Sequence, residues 1–278
     1  MKFGVILGND NAASNIARLA RVAEECGFDH LLLSDHYWYE DAPDLLDSWA
    51  LIGYLSGITS TLRLGTCVTP ITFRPPLQFA KVVSTLDIAS GGRIIVGVGM
   101  GWHEPEFRMF SRWYPHRERY AQFDEALQIL IQAWTDETVT FSGRFYHVER
   151  CIVEPKPMAK PYPPLWFGGW SRRMKRQAGR MGDGWIPTGP RSGEAVKSHQ
   201  DYKMCVKEIE KSLSESGRGP EKFAFGCRFG PMESPKEHLS EVEAFSSVGL
   251  RYYQLGLNPK KHSAEILRYF ADSVMACF

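Results

Sequence analysis

The apolar run Leu31-Leu32-Leu33-Ser34 ends in an acid, an imidazole and two aromatic rings, Asp35-His36-Tyr37-Trp38. An imidazole has an ordinary pKa of ~6.5, so it can give or take a proton near neutral pH. A carboxylate beside it can orient the ring and favour its charged form. Tyr37 and Trp38 add a flat apolar wall suited to a planar ligand. The ordinary alternative is an Asp that caps a helix next to a half-buried His. Position favours chemistry, because the C-terminal strand ends of a parallel barrel form its active-site mouth. Asp35 and His36 are therefore candidate catalytic residues.

Three further segments have the right composition for binding. Arg63-Leu64-Gly65-Thr66-Cys67-Val68-Thr69-Pro70 is a buried strand with a proline exit, in which Thr69 and the backbone at Cys67 and Val68 are expected to face the mouth. Gly97-Val98-Gly99-Met100-Gly101-Trp102 has GxGxG spacing without the immediate helix of a dinucleotide fingerprint. Its glycines instead allow close backbone approach to a flat cofactor or its phosphate. Phe167-Gly168-Gly169-Trp170-Ser171 opens a helix whose free N–H groups and positive dipole end suit phosphate, with Ser171 as cap or ligand. Arg172, Arg173, Lys175 and Arg176 read as a solvated face, contact with an anionic cofactor tail being the alternative. His103, Glu104, Glu106 and His116 are metal-ligand types, but their spacing matches no standard site, and no metal is expected.

The elements that must position these residues alternate. Strand-length apolar runs at 2–8, 30–35, 63–68, 93–99, 165–168, 184–187, 223–229 and 251–257 are separated by helix-like stretches near 14–26, 45–58, 76–89, 117–135, 171–181, 193–216, 235–247 and 262–275. Near-continuous apolar strands are expected when helices cover both faces of a parallel sheet. Eight such units predict one (β/α)8 barrel over residues 1–278, close to the ~250 residues typical of that fold. Ser14 is expected to cap the first helix and Gly27 to end it. Pro75-Pro76 opens the third helix and Gly91-Gly92 closes it. The stretches 100–115 and 138–164 read as excursions on the barrel, the second with a hairpin around Phe141–Tyr146.

A net charge of +1 argues against nucleic acid or a membrane surface as partner. The start reads directly into a strand rather than a signal peptide, and no apolar run approaches the ~18 residues of a membrane span. Six scattered cysteines without a CxxC pair fit reduced thiols in the cytoplasm.

In order along the chain, Phe3-Gly4-Val5, Ser34-Asp35-His36, Leu64–Pro70, Leu86–Arg93, Gly97–Trp102, Gly168–Ser171, Ala178–Trp185 and Tyr253–Leu257 resemble the bacterial luciferase-like superfamily, in its branch using the deazaflavin coenzyme F420. The resemblance implies a non-prolyl cis peptide at Cys67–Val68 bulging against the cofactor ring, with Asp35 and His36 at its reactive edge. It places the cofactor phosphate on the backbone of Gly99, Met100 and Gly101 and of Gly168, Gly169, Trp170 and Ser171. It counts Trp102 with Cys67, Val68 and Thr69 among the cofactor-binding residues, and implies reversible hydride transfer with a small-molecule substrate. Relatives are commonly homodimers. In the sugar-phosphate dehydrogenases of the branch a Glu follows the fourth-strand glycines. Trp102 stands there, with Glu104 two positions on as candidate proton donor. The alternatives are a flavin mononucleotide (FMN)-dependent monooxygenase of the same superfamily, a barrel that binds cofactor without turnover, and an unrelated two-domain Rossmann enzyme. The absence from this sequence of a second βαβ half with its own acidic ribose ligand counts against the last.

Overall fold

The computed structural model describes residues 1–189, 193, 195–232 and 234–278. The chain runs β1 (Lys2–Leu7), α1 (Ala13–Glu25), β2 (His30–Leu33), α2 (Ser48–Ser56), β3 (Arg63–Thr66), β4 (Thr69–Pro70), α3 (Pro76–Ala89), β5 (Ile94–Gly99), α4 (Glu104–Phe110) and α5 (His116–Thr135). It continues through β6 (Val139–Ser142), β7 (His147–Cys151), β8 (Leu165–Gly168), α6 (Arg172–Met181), β9 (Gly184–Ile186), α7 (His199–Glu215), β10 (Ala224–Phe229), α8 (Pro235–Ser246), β11 (Tyr252–Leu257) and α9 (Glu265–Ser273). Strands β3-β2-β1-β11-β10-β9-β8-β5 pair in that order, all parallel, and β3 also pairs with β5. The sheet is thereby a closed eight-stranded (β/α)8 barrel.

Two apolar layers form because each strand buries both faces. Outward residues such as Val5, Leu31, Leu64, Val96 and Leu255 pack under the helices. Inward residues Ile6, Leu32, Ile95, Trp166, Ile186 and Ala224 fill the lower barrel. Above them, toward the C-terminal strand ends, the inward positions become glycine at 97, 99, 168, 226 and 256. That change leaves room in the upper barrel without altering the sheet.

Most expected boundaries fall within a few residues of those observed, and four details differ. The first helix is capped at Ala12 without a side-chain bond, so Ser14 lies in its first turn instead of preceding it. The third strand stops at Thr66 and resumes as β4, interrupted at Cys67–Val68. The stretch 100–115, expected as an excursion, contains the helix α4. The helix expected over 193–216 begins at His199, and its Glu194 lies outside the described residues. The expected hairpin is the antiparallel pair β6–β7.

Candidate active site

Asp35 is 1% exposed and its carboxylate is fully engaged. It accepts from Thr69 Oγ1 at 2.7 Å and from both terminal nitrogens of Arg74, at 2.8 and 3.2 Å. Trp49 Nε1 donates to the same Thr69 hydroxyl at 2.9 Å, and Arg74 also pairs with Asp47 at 2.9 Å. Burial disfavours the Arg74 charge, but the Asp35 carboxylate outweighs it and holds the guanidinium firmly protonated. Asp35 and the Thr69 hydroxyl, both expected at the mouth, thus form a buried clamp beneath it. A fork of two N–H bonds onto one carboxylate fixes geometry as well as charge.

His36 is partnered from elsewhere. Its Nδ1 lies 3.0 Å from Oε2 of Glu106 on α4, while Oε1 accepts the backbone N–H of Tyr37 at 2.5 Å and of Trp38 at 3.3 Å. Glu106 is 1% exposed. Asn9, just past β1, donates to the His36 carbonyl at 2.5 Å and to that of Leu46 at 2.7 Å, tying down the turn that carries the imidazole. Glu104 does not join this group: its carboxylate is half-exposed and bonded to Arg108. The expected aromatic wall also changes. Tyr37 packs on Phe73 and Arg74, and Trp38 stacks on His103. Tyr39 and Trp102 are the rings beside His36, at centroid distances of 4.6 and 5.9 Å.

The Cys67–Val68 peptide bond is cis, where the resemblance implies it. Val68 projects into the glycine-lined upper barrel. A Cβ on Gly99 would stand 2.4 Å from a Val68 methyl, and one on Gly168 would stand 2.9 Å from both. Real Cβ atoms do not approach so closely, so those positions admit only glycine while Val68 occupies the space. Burial pushes the neighbouring Cys67 thiol up to about 11, with the Arg228 charge opposing, so it is a neutral thiol at physiological pH.

Two loops beside this bulge form a cradle for an anion. Gly101 and Gly169 hold φ of 74° and 84°, which glycine adopts without strain. Ser171 caps α6, its Oγ accepting from the N–H of Met174 at 3.2 Å, and it also meets Tyr120 Oη at 2.5 Å. Arg119, adjacent in the first turns of α5, donates to the Gly101 carbonyl at 2.9 Å. One helix start therefore ties both loops together. The N–H groups of Arg172 and Arg173 have no helical carbonyl to meet, and with the dipole they suit an anion. Trp102 and Trp170, at the ends of the two glycine runs, are 67% and 60% exposed. A planar ring over Val68 with its phosphate at Ser171 fits this arrangement of glycines, cap and open rings.

Glu106 and Arg228 were not picked out as site residues from the sequence. A signal for Glu106 was available: the N-cap His103 with Glu106 and Phe107 of α4, spaced i, i+3, i+4, are buried together. Arg228 lies one residue before the end of the seventh barrel strand, where its chain passes Gly256 and its Nε is buried without a partner. Single-strand periodicity gives no hint of that.

The Luciferase-like monooxygenase family profile matches residues 1–268. The chain is 35% identical over 208 residues to an F420-dependent glucose-6-phosphate dehydrogenase of Nakamurella multipartita, covering 74% of this chain and 59% of that protein. It is 33% identical over 186 residues to an FMNH(2)-dependent dimethylsulfone monooxygenase of Pseudomonas putida, covering 66% of this chain and 51% of the relative. The chain thus spans between half and three-fifths of the length of these relatives. In fold it superposes on the F420-dependent tetrahydromethanopterin reductase of Methanopyrus kandleri with a TM-score of 0.84 at 18% identity, covering 100% of this chain and 99% of the other. An F420-dependent secondary alcohol dehydrogenase, solved with an F420-acetone adduct, gives 0.86 at 20% identity over the same shares. With a family profile spanning nearly its whole length, the chain belongs to the luciferase-like monooxygenase family.

Proposed function

We propose that this protein is an F420-dependent oxidoreductase that exchanges hydride between the coenzyme and a small organic substrate. The observation that carries the reading is the His36–Glu106 pair, 3.0 Å apart, just past the end of the strand that pairs with the one leading into the Val68 bulge. Bound there, coenzyme F420 supplies two-electron hydride chemistry and leaves a proton for the protein to handle. An ionised Glu106 only accepts hydrogen bonds, so it holds the proton on Nδ1 of His36 and leaves Nε2 as the base. Val68, Gly99 and Gly168 hold the ring, and Gly101, Trp102, Gly169, Trp170 and Ser171 receive the chain that joins the ring to its phosphate and the phosphate itself. Asp35 serves as a positioning residue, through Arg74 and Thr69.

A second reading, an FMN-dependent monooxygenase, is favoured by the likeness to the dimethylsulfone enzyme. Titration of the purified protein with coenzyme F420 and, separately, with FMN decides between them. Tight deazaflavin binding with weak FMN binding is expected; the reverse moves the protein to oxygen-using chemistry.

All six cysteines are free, which supports a reducing, cytoplasmic setting. Among the described residues no helix is long and apolar enough to cross a membrane. Exposed Tyr54, Val82 and Ile88 on neighbouring α2 and α3 support a homodimer, which sedimentation analysis tests.

A further inference from the structure

A groove of about 800 Å³ runs along the outside of the barrel between α5 and α6, lined by Arg172, Arg173, Arg176, Arg180, Asp124 and Gln128. Its charge is poorly balanced. Arg173 pairs with Asp124 at 2.5 Å, and Arg172 shares Glu208 with Lys175. Arg176 and Arg180 are exposed and have no carboxylate partner among the described residues.

This arrangement works against the helix that bears it. Like charges four residues apart destabilise a helix, and cations in its first turn oppose the macrodipole. Yet α6 opens on Arg172-Arg173 with no acid in that turn. Local choices that conflict with the element they sit in mark functional sites. An anion lying along α6 removes both conflicts.

We infer that this groove binds the oligo-γ-glutamate tail of coenzyme F420, an assignment that rests on the coenzyme reading above. The groove begins at Arg172, the residue after the Ser171 cap where the phosphate is placed, and the tail continues from that phosphate. Arg172, Arg176 and Arg180 recur every four residues, or ~6 Å along the helix axis. An extended α-peptide unit of three backbone bonds spans ~3.6 Å, so a five-bond γ-linked unit spans ~6 Å. Each tail carboxylate then falls opposite one arginine. FMN ends at its phosphate and has nothing to place there.

The test compares two probes, coenzyme F420 with five or more glutamates and the same molecule without them, on wild type and on Arg176→Glu/Arg180→Glu. Affinity is read by fluorescence titration, and circular dichroism confirms that the variant folds. Wild type is expected to prefer the long tail by about tenfold, the sum of several exposed ion pairs. The variant loses that preference and binds the trimmed form as wild type does. Raising the salt to about 1 M, where screening acts within about 3 Å, also erases it. Equal affinity of wild type for both probes, or an undiminished preference in the variant, overturns the proposal. Binding of neither probe overturns the coenzyme reading, and the groove assignment with it.

Discussion

The carboxylate of Glu106 and the imidazole of His36 meet at 3.0 Å although 70 residues separate them. Glu106 is supplied by a short helix after the fourth barrel strand and His36 by the turn after the second. The same carboxylate accepts the N–H groups of Tyr37 and Trp38, so one buried side chain fixes both the ring and the backbone that carries it. His36 itself stays 14% exposed, enough to reach a ligand.

Replacing Glu106 by Gln retains its shape but puts an amide where three donors converge. The imidazole loses the acceptor that fixes its protonation. Turnover of coenzyme F420 is expected to fall about 100-fold, within the range that a positioned acid or base contributes. Coenzyme affinity should hold within about twofold and the pH–rate profile should change shape. Glu104→Gln, on the surface with Arg108, is the control and should leave the rate unaltered. A rate unchanged in Glu106→Gln would remove the pair from the mechanism.

Asp35→Asn tests the clamp beneath the mouth. Removing one partner of a buried pair leaves the other charge uncompensated, at a cost of about 3–5 kcal/mol. Arg74 retains Asp47, which is 41% exposed, so the low end of that range is expected in denaturant unfolding. A loss below about 1 kcal/mol would show that Asp35 does not hold Arg74 in place.

The barrel was legible because eight apolar runs alternate with helical stretches, a pattern set by burial of both strand faces. The glycine runs were legible because close approach excludes side chains. The partners of Asp35 and His36 were not. Adjacency in sequence suggested that the two act on each other, but the clamp draws Asp35 toward Arg74 and Thr69 and leaves His36 to Glu106. Glu104 was singled out because it lies two positions past Trp102, where some relatives carry a Glu, and that spacing does not say which side of a helix faces inward. Once α4 is present, its period sends position 106 inward and 104 outward.

At the opposite end of the barrel, Asp29 sets part of the acid stability. Burial alone would raise its carboxyl, but hydrogen bonds from the His30 ring and the Lys2 ammonium, with their charges, hold it well below the usual carboxylate range. A group lowered on folding stabilises the native state above its unfolded pKa of about 3.9. That contribution is lost as pH falls from there through the folded value. Asp29→Asn should therefore be less stable than wild type at pH 7, and the gap should narrow below about pH 4. Urea unfolding at several pH values checks this, and a gap independent of pH would contradict it.

Gly99 and Val68 give the sharpest test of the bulge. A Cβ at position 99 would lie 2.4 Å from Cγ2 of Val68, and the rigid sheet leaves the bulge as the part that moves. Gly99→Ala is expected to weaken coenzyme F420 binding by at least about tenfold, by displacing the surface on which the ring rests, while the barrel still folds. Val68→Ala deletes the methyl groups that the new Cβ would strike. If the loss arises from that collision, the double variant should bind more tightly than Gly99→Ala alone. The coupling expected for two residues in contact is about 0.5–3 kcal/mol, measured by titrating all four proteins of the cycle. Strict additivity would instead mean that Gly99 acts on the coenzyme directly, through its own backbone, and that Val68 is not the support.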